Sequence, residues 1–141
     1  MITRACTAIL NWNKTKILMV KHQEKDRVYW TLPGGGIEKN ETPEECAIRE
    51  VNEEANIYIR IKNKLFEDTY IDNGIVRKYV CFLGSKKVLS HIKLGSDPEE
   101  KNINEDLKML KDIKWKCIQE MKEDIQISQV IKILNLRVSK K

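Results

Sequence analysis

The chain has 141 residues, the length of one ordinary domain, with 26 Lys and Arg against 21 Asp and Glu for a net charge of +5. Charged residues make up 33% and apolar ones 41%, which excludes a wholly disordered chain and suits a soluble globular domain with one core. Apolar runs such as Ile17-Leu18-Met19-Val20 end after a few residues, far short of the ~20 that a membrane-spanning helix needs. Cys6, Cys46, Cys81 and Cys117 are dispersed without a C-x-x-C pair, so neither a structural zinc site nor a disulfide scaffold is expected. They read as reduced thiols in a cytoplasmic protein, and the first residues lack the plan of a signal peptide. The modest positive charge suits phosphate-rich ligands without pointing to a nucleic acid.

In chain order, residues 4–10 and 16–22 carry β-favouring apolar runs separated by Asn11-Trp12-Asn13-Lys14, which reads as a hairpin. Val28 to Leu32 is a short strand stopped by Pro33 and three glycines. Thr42 is a good N-cap, Pro43 suits the first helical position, and Glu45 completes a capping box. That helix runs to about Ala55 and ends on Asn56, which tolerates the left-handed conformation. Asn56 to Asp72 alternates as a long strand, Asn73-Gly74 is a hairpin turn, and Ile75 to Leu89 returns. A polar loop from Gly95 to Asp106 precedes a last strand, Ile113 to Ile118, and an amphipathic helix from Ile125 to about Val138. The order is that of a mixed α/β domain in which helices cover a sheet, with no internal boundary across residues 1–141.

The first helix has a structural oddity. Ala47, Ile48, Val51 and Ala55 form an apolar stripe, but Glu50, Glu53 and Glu54 crowd together on another face. Like charges at that spacing cost roughly 0.2–0.5 kcal/mol per pair, and the helix C-terminus disfavours anions. Arg49 alone lies close in sequence to offset them. An isolated acidic trio is usually a solvated face. Here a Gly34-Gly35-Gly36 loop feeds the same helix, and carboxylates beside bare backbone make a hard-oxygen site of the kind Mg²⁺ favours. Neither a P-loop string nor a dinucleotide fingerprint is present.

Residues 35–57 resemble the Nudix box, G-x5-E-x7-R-E-U-x-E-E-x-G-U with U a bulky aliphatic residue. Gly35, Glu41, Arg49-Glu50, Val51, Glu53-Glu54 and Ile57 fill its positions, and Asn56 stands where the family has glycine. Trp30-Thr31-Leu32-Pro33 looks like the family's usual entry into the box. The resemblance implies an α/β/α sandwich with a mixed sheet between helices. It also implies hydrolysis of a nucleoside diphosphate linked to another group, by metal-activated water.

By that resemblance Glu50, Glu53 and Glu54, with the Gly34 carbonyl, would bind Mg²⁺ or Mn²⁺. Glu53 is favoured to take the water's proton, Glu105 is the candidate for an additional late base, and Glu99 and Glu100 stand behind it. Arg49 and Glu41 are expected to pair in a supporting role, and Lys21 and Arg27 are candidates to hold phosphate. Trp12, Trp30 and Trp115 are expected to pack rather than stack on a base, and His22 and His91 receive no catalytic role. The proline that marks many ADP-ribose hydrolases is absent near Asp72. Tyr70 and Tyr79 bracket, without matching, the tyrosine of some dinucleoside polyphosphate hydrolases, and the coenzyme A pattern is missing. A small nucleotide such as a nucleoside triphosphate is left by elimination. The alternatives are a nucleotide-sensing module without turnover, and a dinucleoside polyphosphate or RNA 5′-end pyrophosphohydrolase. A homodimer is left open.

Overall fold

The computed structural model describes residues 1–24, 26–87 and 110–139. Within them run β1 (Ile2–Ile9), β2 (Lys16–Glu24), β3 (Arg27–Thr31), β4 (Gly34–Gly36), α1 (Pro43–Ala55), β5 (Ile59–Asp72), β6 (Ile75–Lys86), β7 (Leu110–Cys117) and α2 (Ile125–Leu134). A four-stranded sheet has the order β4-β1-β6-β5, and a three-stranded sheet the order β3-β2-β7. The first is mixed, because β1 and β6 run parallel while its other pairs are antiparallel.

Strand alternation sorts the larger sheet's side chains between two helices. Ala5, Val80 and Phe82 meet Cys46 and Ala47 of α1, and Ile9, Leu18 and Ile59 meet Val51, Ala55 and Ile57. On the opposite side Cys6, Ala8, Tyr79 and Cys81 join Ile17, Met19, Ile118 and the α2 residues Ile127 and Val130. The mixed α/β sandwich follows from this two-sided burial.

Local signals decide the element ends. The Thr42 hydroxyl accepts from the Glu45 amide at 3.1 Å, and the Glu45 carboxylate accepts from the Thr42 amide at 2.9 Å, closing the capping box. Asn56 ends α1 at φ 58°. Asn73 (φ 49°) and Gly74 (φ 79°) join β5 to β6 with Asp72 opposite Ile75, as a two-residue turn with positive φ at both centres requires. Helix α2 stops at Leu134, short of the expected Val138, because Asn135 turns left-handed at φ 54°.

Three further expectations need correction. Residues 4–10 and 16–22 do not form a hairpin: among the described residues a single bridge, Leu10 to Ile17, joins them. Asn11 folds the turn by accepting from the Thr15 and Lys16 amides at 2.9 Å each, after which β1 and β2 part into different sheets. Strand β1 is already paired along both edges, by β4 and β6, so no edge is left for β2. Nor do the three glycines merely stop a strand, since Gly34–Gly36 is itself β4. A side chain at Gly34 would overlap the Ala5 carbonyl and the Cys6 main chain, so only bare backbone lies this close to β1. Trp12, expected to pack, is 92% exposed at the turn. Trp30 does pack against the core, under the Lys116 ammonium at 4.0 Å.

Candidate active site

A cavity of about 450 Å³ opens between the two sheets. Arg4, Cys6, Tyr70 and Tyr79 line it from the larger sheet, and His22, Arg27, Tyr29 and Thr31 from the smaller. Strand β4 together with Glu50 and Glu54 of α1 forms a third side, and Gln126 closes in from α2. Glu50 and Glu54 lie one helical turn apart, so both project from one face of α1. They are 8% and 2% exposed, the charged side chains among the described residues that are buried.

Each carboxylate is held by a specific contact. Glu54 accepts from the Gly34 amide at 2.8 Å, and its other oxygen lies 3.7 Å from His22 Nε2. The Glu50 carboxylate occupies the space that a side chain at Gly35 would need. Glu50 also accepts from Arg49 Nη1 at 2.9 Å. Glu53 does not line the cavity; both its oxygens face Arg49 Nη1 at 3.3 Å.

Arg49 organises the outer side. Its Nε and Nη2 donate to the two oxygens of Glu41 at 2.7 and 2.9 Å, and Nη2 also donates to the Gly36 carbonyl at 3.0 Å. This fork ties the loop before α1 to strand β4 and to the helix. The hydrogen-bonded guanidinium holds the Glu41 carboxyl down to about 2, and Arg49 is in turn raised above its usual value, chiefly by Glu41. Cys46, beneath β4, has its thiol 3.6 and 3.5 Å from the Gly35 and Gly36 carbonyls, and burial pushes it up to about 12.

Comparison with known proteins decides the family. A family model described as NUDIX domain matches residues 1–132. The chain belongs to the Nudix family. It is 39% identical over 77 residues to the m7GpppN-mRNA hydrolase of Saccharomyces cerevisiae, a match covering 54% of this chain and 8% of that protein. The chain thus spans under a tenth of the length of the curated relatives it matches. Among solved structures, a NUDIX hydrolase from Nitrosomonas europaea superposes with a TM-score of 0.69 at 18% identity, covering 96% of this chain and 89% of that one. A C. elegans Ap4A hydrolase complex gives 0.64 at 19%, covering 96% and 88%. At these identities the structures show a shared fold. Nudix enzymes generally use divalent metal ions.

The donor set suits such an ion. Among the described residues no three Cys, His, Asp or Glu groups converge as a metal cluster, so there is no closed cage. What the Nudix helix offers instead is Glu50 and Glu54 on one cavity wall beside the glycine backbone of β4. Mg²⁺ is commonly held by one or two carboxylates while phosphate oxygens and water complete its octahedron.

The remaining expected residues divide. Arg27 lines the cavity with its guanidinium 4.4 Å from the centre of the Tyr29 ring. Lys21 does not line it and stands in register with Trp30 and Asp112. Glu99, Glu100, Glu105 and His91 lie outside the described residues. Sequence reasoning missed His22, which stacks on Tyr29 with ring centres 5.4 Å apart and reaches Glu54. Its one available signal was the alternation of β2, which puts His22 on the same face as Val20 and Leu18, toward α1.

Proposed function

We propose that this Nudix domain hydrolyses a pyrophosphate linkage in a small nucleoside diphosphate-linked substrate, with Mg²⁺ or Mn²⁺ as cofactor. The observation that carries the reading is the pair Glu50 and Glu54, buried side by side in a cavity whose other walls present Arg4 and Arg27. Glu50, Glu54 and the Gly34 carbonyl would hold the cation, with Glu53 joining from the next position on the helix. Once bound, such an ion neutralises phosphate oxygens and lowers the pKa of a water. The chain's own groups do the rest. Arg27 attracts the phosphate chain, and the Gly34 amide and His22 fix the orientation of Glu54. Glu53 is the proposed proton acceptor. Its 3.3 Å contacts to Arg49 are longer than those of Glu41 and Glu50. Glu105 is proposed as a second base.

A panel of nucleoside triphosphates, nucleotide sugars, ADP-ribose and dinucleoside polyphosphates, with and without Mg²⁺, tests this against Glu54→Gln. The amide keeps an oxygen for the Gly34 N–H while removing the charge. Mg²⁺-dependent cleavage reduced about a hundredfold or more in the variant is expected. Equal turnover in the two proteins would sink the reading. A second reading, hydrolysis at the 5′ end of RNA, is favoured by the 39% identity to the protein named m7GpppN-mRNA hydrolase. Adding capped and 5′-triphosphorylated RNA to the same panel separates the two.

A further inference from the structure

We infer that two copies of this chain associate about a two-fold axis through the outer edge of β5, each seating the tip of its β5–β6 hairpin, at Ile71 and Val76, in a groove beside the other's β5. The inference stands apart from the proposed function, because that groove shares no lining residue with the cavity between the sheets.

Among the described residues β5 ends the four-stranded sheet and pairs along one side only, with β6. An edge of 14 residues is a template for another strand. The charges along it are sorted: Arg60, Lys62 and Lys64 occupy its first half, and Glu67, Asp68 and Asp72 its second. Two copies lying antiparallel set each basic half against an acidic one, whereas parallel copies would set like against like. The local pairs Lys64–Glu67 and Arg77–Asp72, at 2.7 and 2.9 Å, lie at the surface, where such pairs are weak enough to exchange partners.

The apolar surface is sorted by the same operation. Ile71 and Val76 stand opposite each other in the β5–β6 register and are 76% and 67% exposed. Strand alternation puts Val76 on the face of Val80, which packs on α1. On that face, beside the first half of β5, lies a groove of about 620 Å³ floored by Ile2, Ile61, Val80 and Phe82 and edged by Lys62 and Lys64. Register shifts between Ile61 and Asn63 and between Lys64 and Phe66 mark Lys62 and Leu65 as bulged residues. An antiparallel partner that skips those two lays Arg60 opposite Asp72 and Ile61 opposite Ile71, each pair on a shared face. The tip of one copy then arrives at the groove of the other. Glu67 meets its own counterpart near the axis, with the Lys64 ammonium of each chain beside it to offset the repulsion.

Sedimentation equilibrium of the intact chain tests this without any substrate. Wild-type protein is expected to dimerise at micromolar concentration. Ile71→Asp should raise the dissociation constant about a hundredfold, since the change occurs twice per dimer and sets a charge on an apolar floor. Arg60→Glu should weaken the dimer about fivefold, and adding Asp72→Arg to it should recover the loss. Thermal melting of each variant checks that the fold is retained. Arg60→Cys combined with Asp72→Cys reads the register. The two positions lie roughly 40 Å apart along one strand, so a disulfide between them must join two chains. Mild oxidation should give a covalent dimer that neither single cysteine variant forms. A wild-type protein that stays monomeric even at millimolar concentration would overturn the inference and leave the groove to another partner. So would a dimer that survives Ile71→Asp and forms no disulfide in the double variant, since its interface would lie elsewhere.

Discussion

Arginine appears in two settings only a short distance apart in this fold, and they show how little a charge reveals before its partner is known. Outside the cavity, Arg49 is forked onto Glu41 and shared with Glu50, Glu53 and the Gly36 carbonyl. It works as a structural rivet, neutralising a helix face that would otherwise repel itself. Inside, Arg4 and Arg27 lie over tyrosine rings and line the cavity. The first kind stabilises the protein that carries it, and the second is suited to something that arrives.

The sharpest way to break this comparison is to strike the carboxylates between the two settings. Glu50→Gln should reduce cleavage of a susceptible nucleotide about a hundredfold or more while the protein still melts cooperatively, and steady-state kinetics with differential scanning calorimetry reads both. Next in size is Arg49→Ala, which leaves Glu41, Glu50 and Glu53 facing one another without a cation. A loss of about 3 kcal/mol in urea unfolding is expected. If Arg49 were only a surface charge, the loss would stay within about 0.5 kcal/mol.

Acid titration sharpens the same point. The Glu41 carboxyl is held at about 2 against an ordinary value of 4.5, so the native state favours its ionised form. The resulting stability is complete above about pH 4.5 and drains away as the pH falls toward 2. Unfolding midpoints of wild type and Glu41→Gln should therefore converge across that window; a constant gap would remove Glu41 as the cause. Smallest of all, Asn56→Gly should raise stability by about 0.5 kcal/mol, because glycine occupies φ 58° without a Cβ penalty. Chemical denaturation would resolve the gain, and a loss would show that the asparagine makes a contact worth keeping.

Features written in neighbouring residues were legible in the sequence. Thr42, Pro43 and Glu45 announce the start of α1, Asn56 its end, and Asn73-Gly74 the turn between the two longest strands. The family motif also singled out Glu50, Glu53 and Glu54 before any cavity was visible, and of these Glu53 does not line it. Features that depend on distant partners were not legible. Nothing in residues 4–22 reveals that β1 has both edges occupied, by a glycine strand and by β6, and so cannot accept β2. His22 carried no local sign of its role, since Glu54 reaches it only once α1 has packed across β2. The cavity's tyrosines were equally silent, because Tyr29 and Tyr70 come from separate sheets that meet only in the finished fold.

The pairing of β1 with β6 has a further consequence for how the protein comes into being. Residues 2–9 find their parallel partner only when residues 78–84 are present, and β4 in turn docks on β1. During synthesis the capped helix can coil early, since its signals are local. The cavity cannot. Its floor waits for a contact that spans half the chain, and contacts of that range close slowly. A ribosome making this protein therefore carries a helix bearing Glu50, Glu53 and Glu54 well before there is a place for a nucleotide to bind.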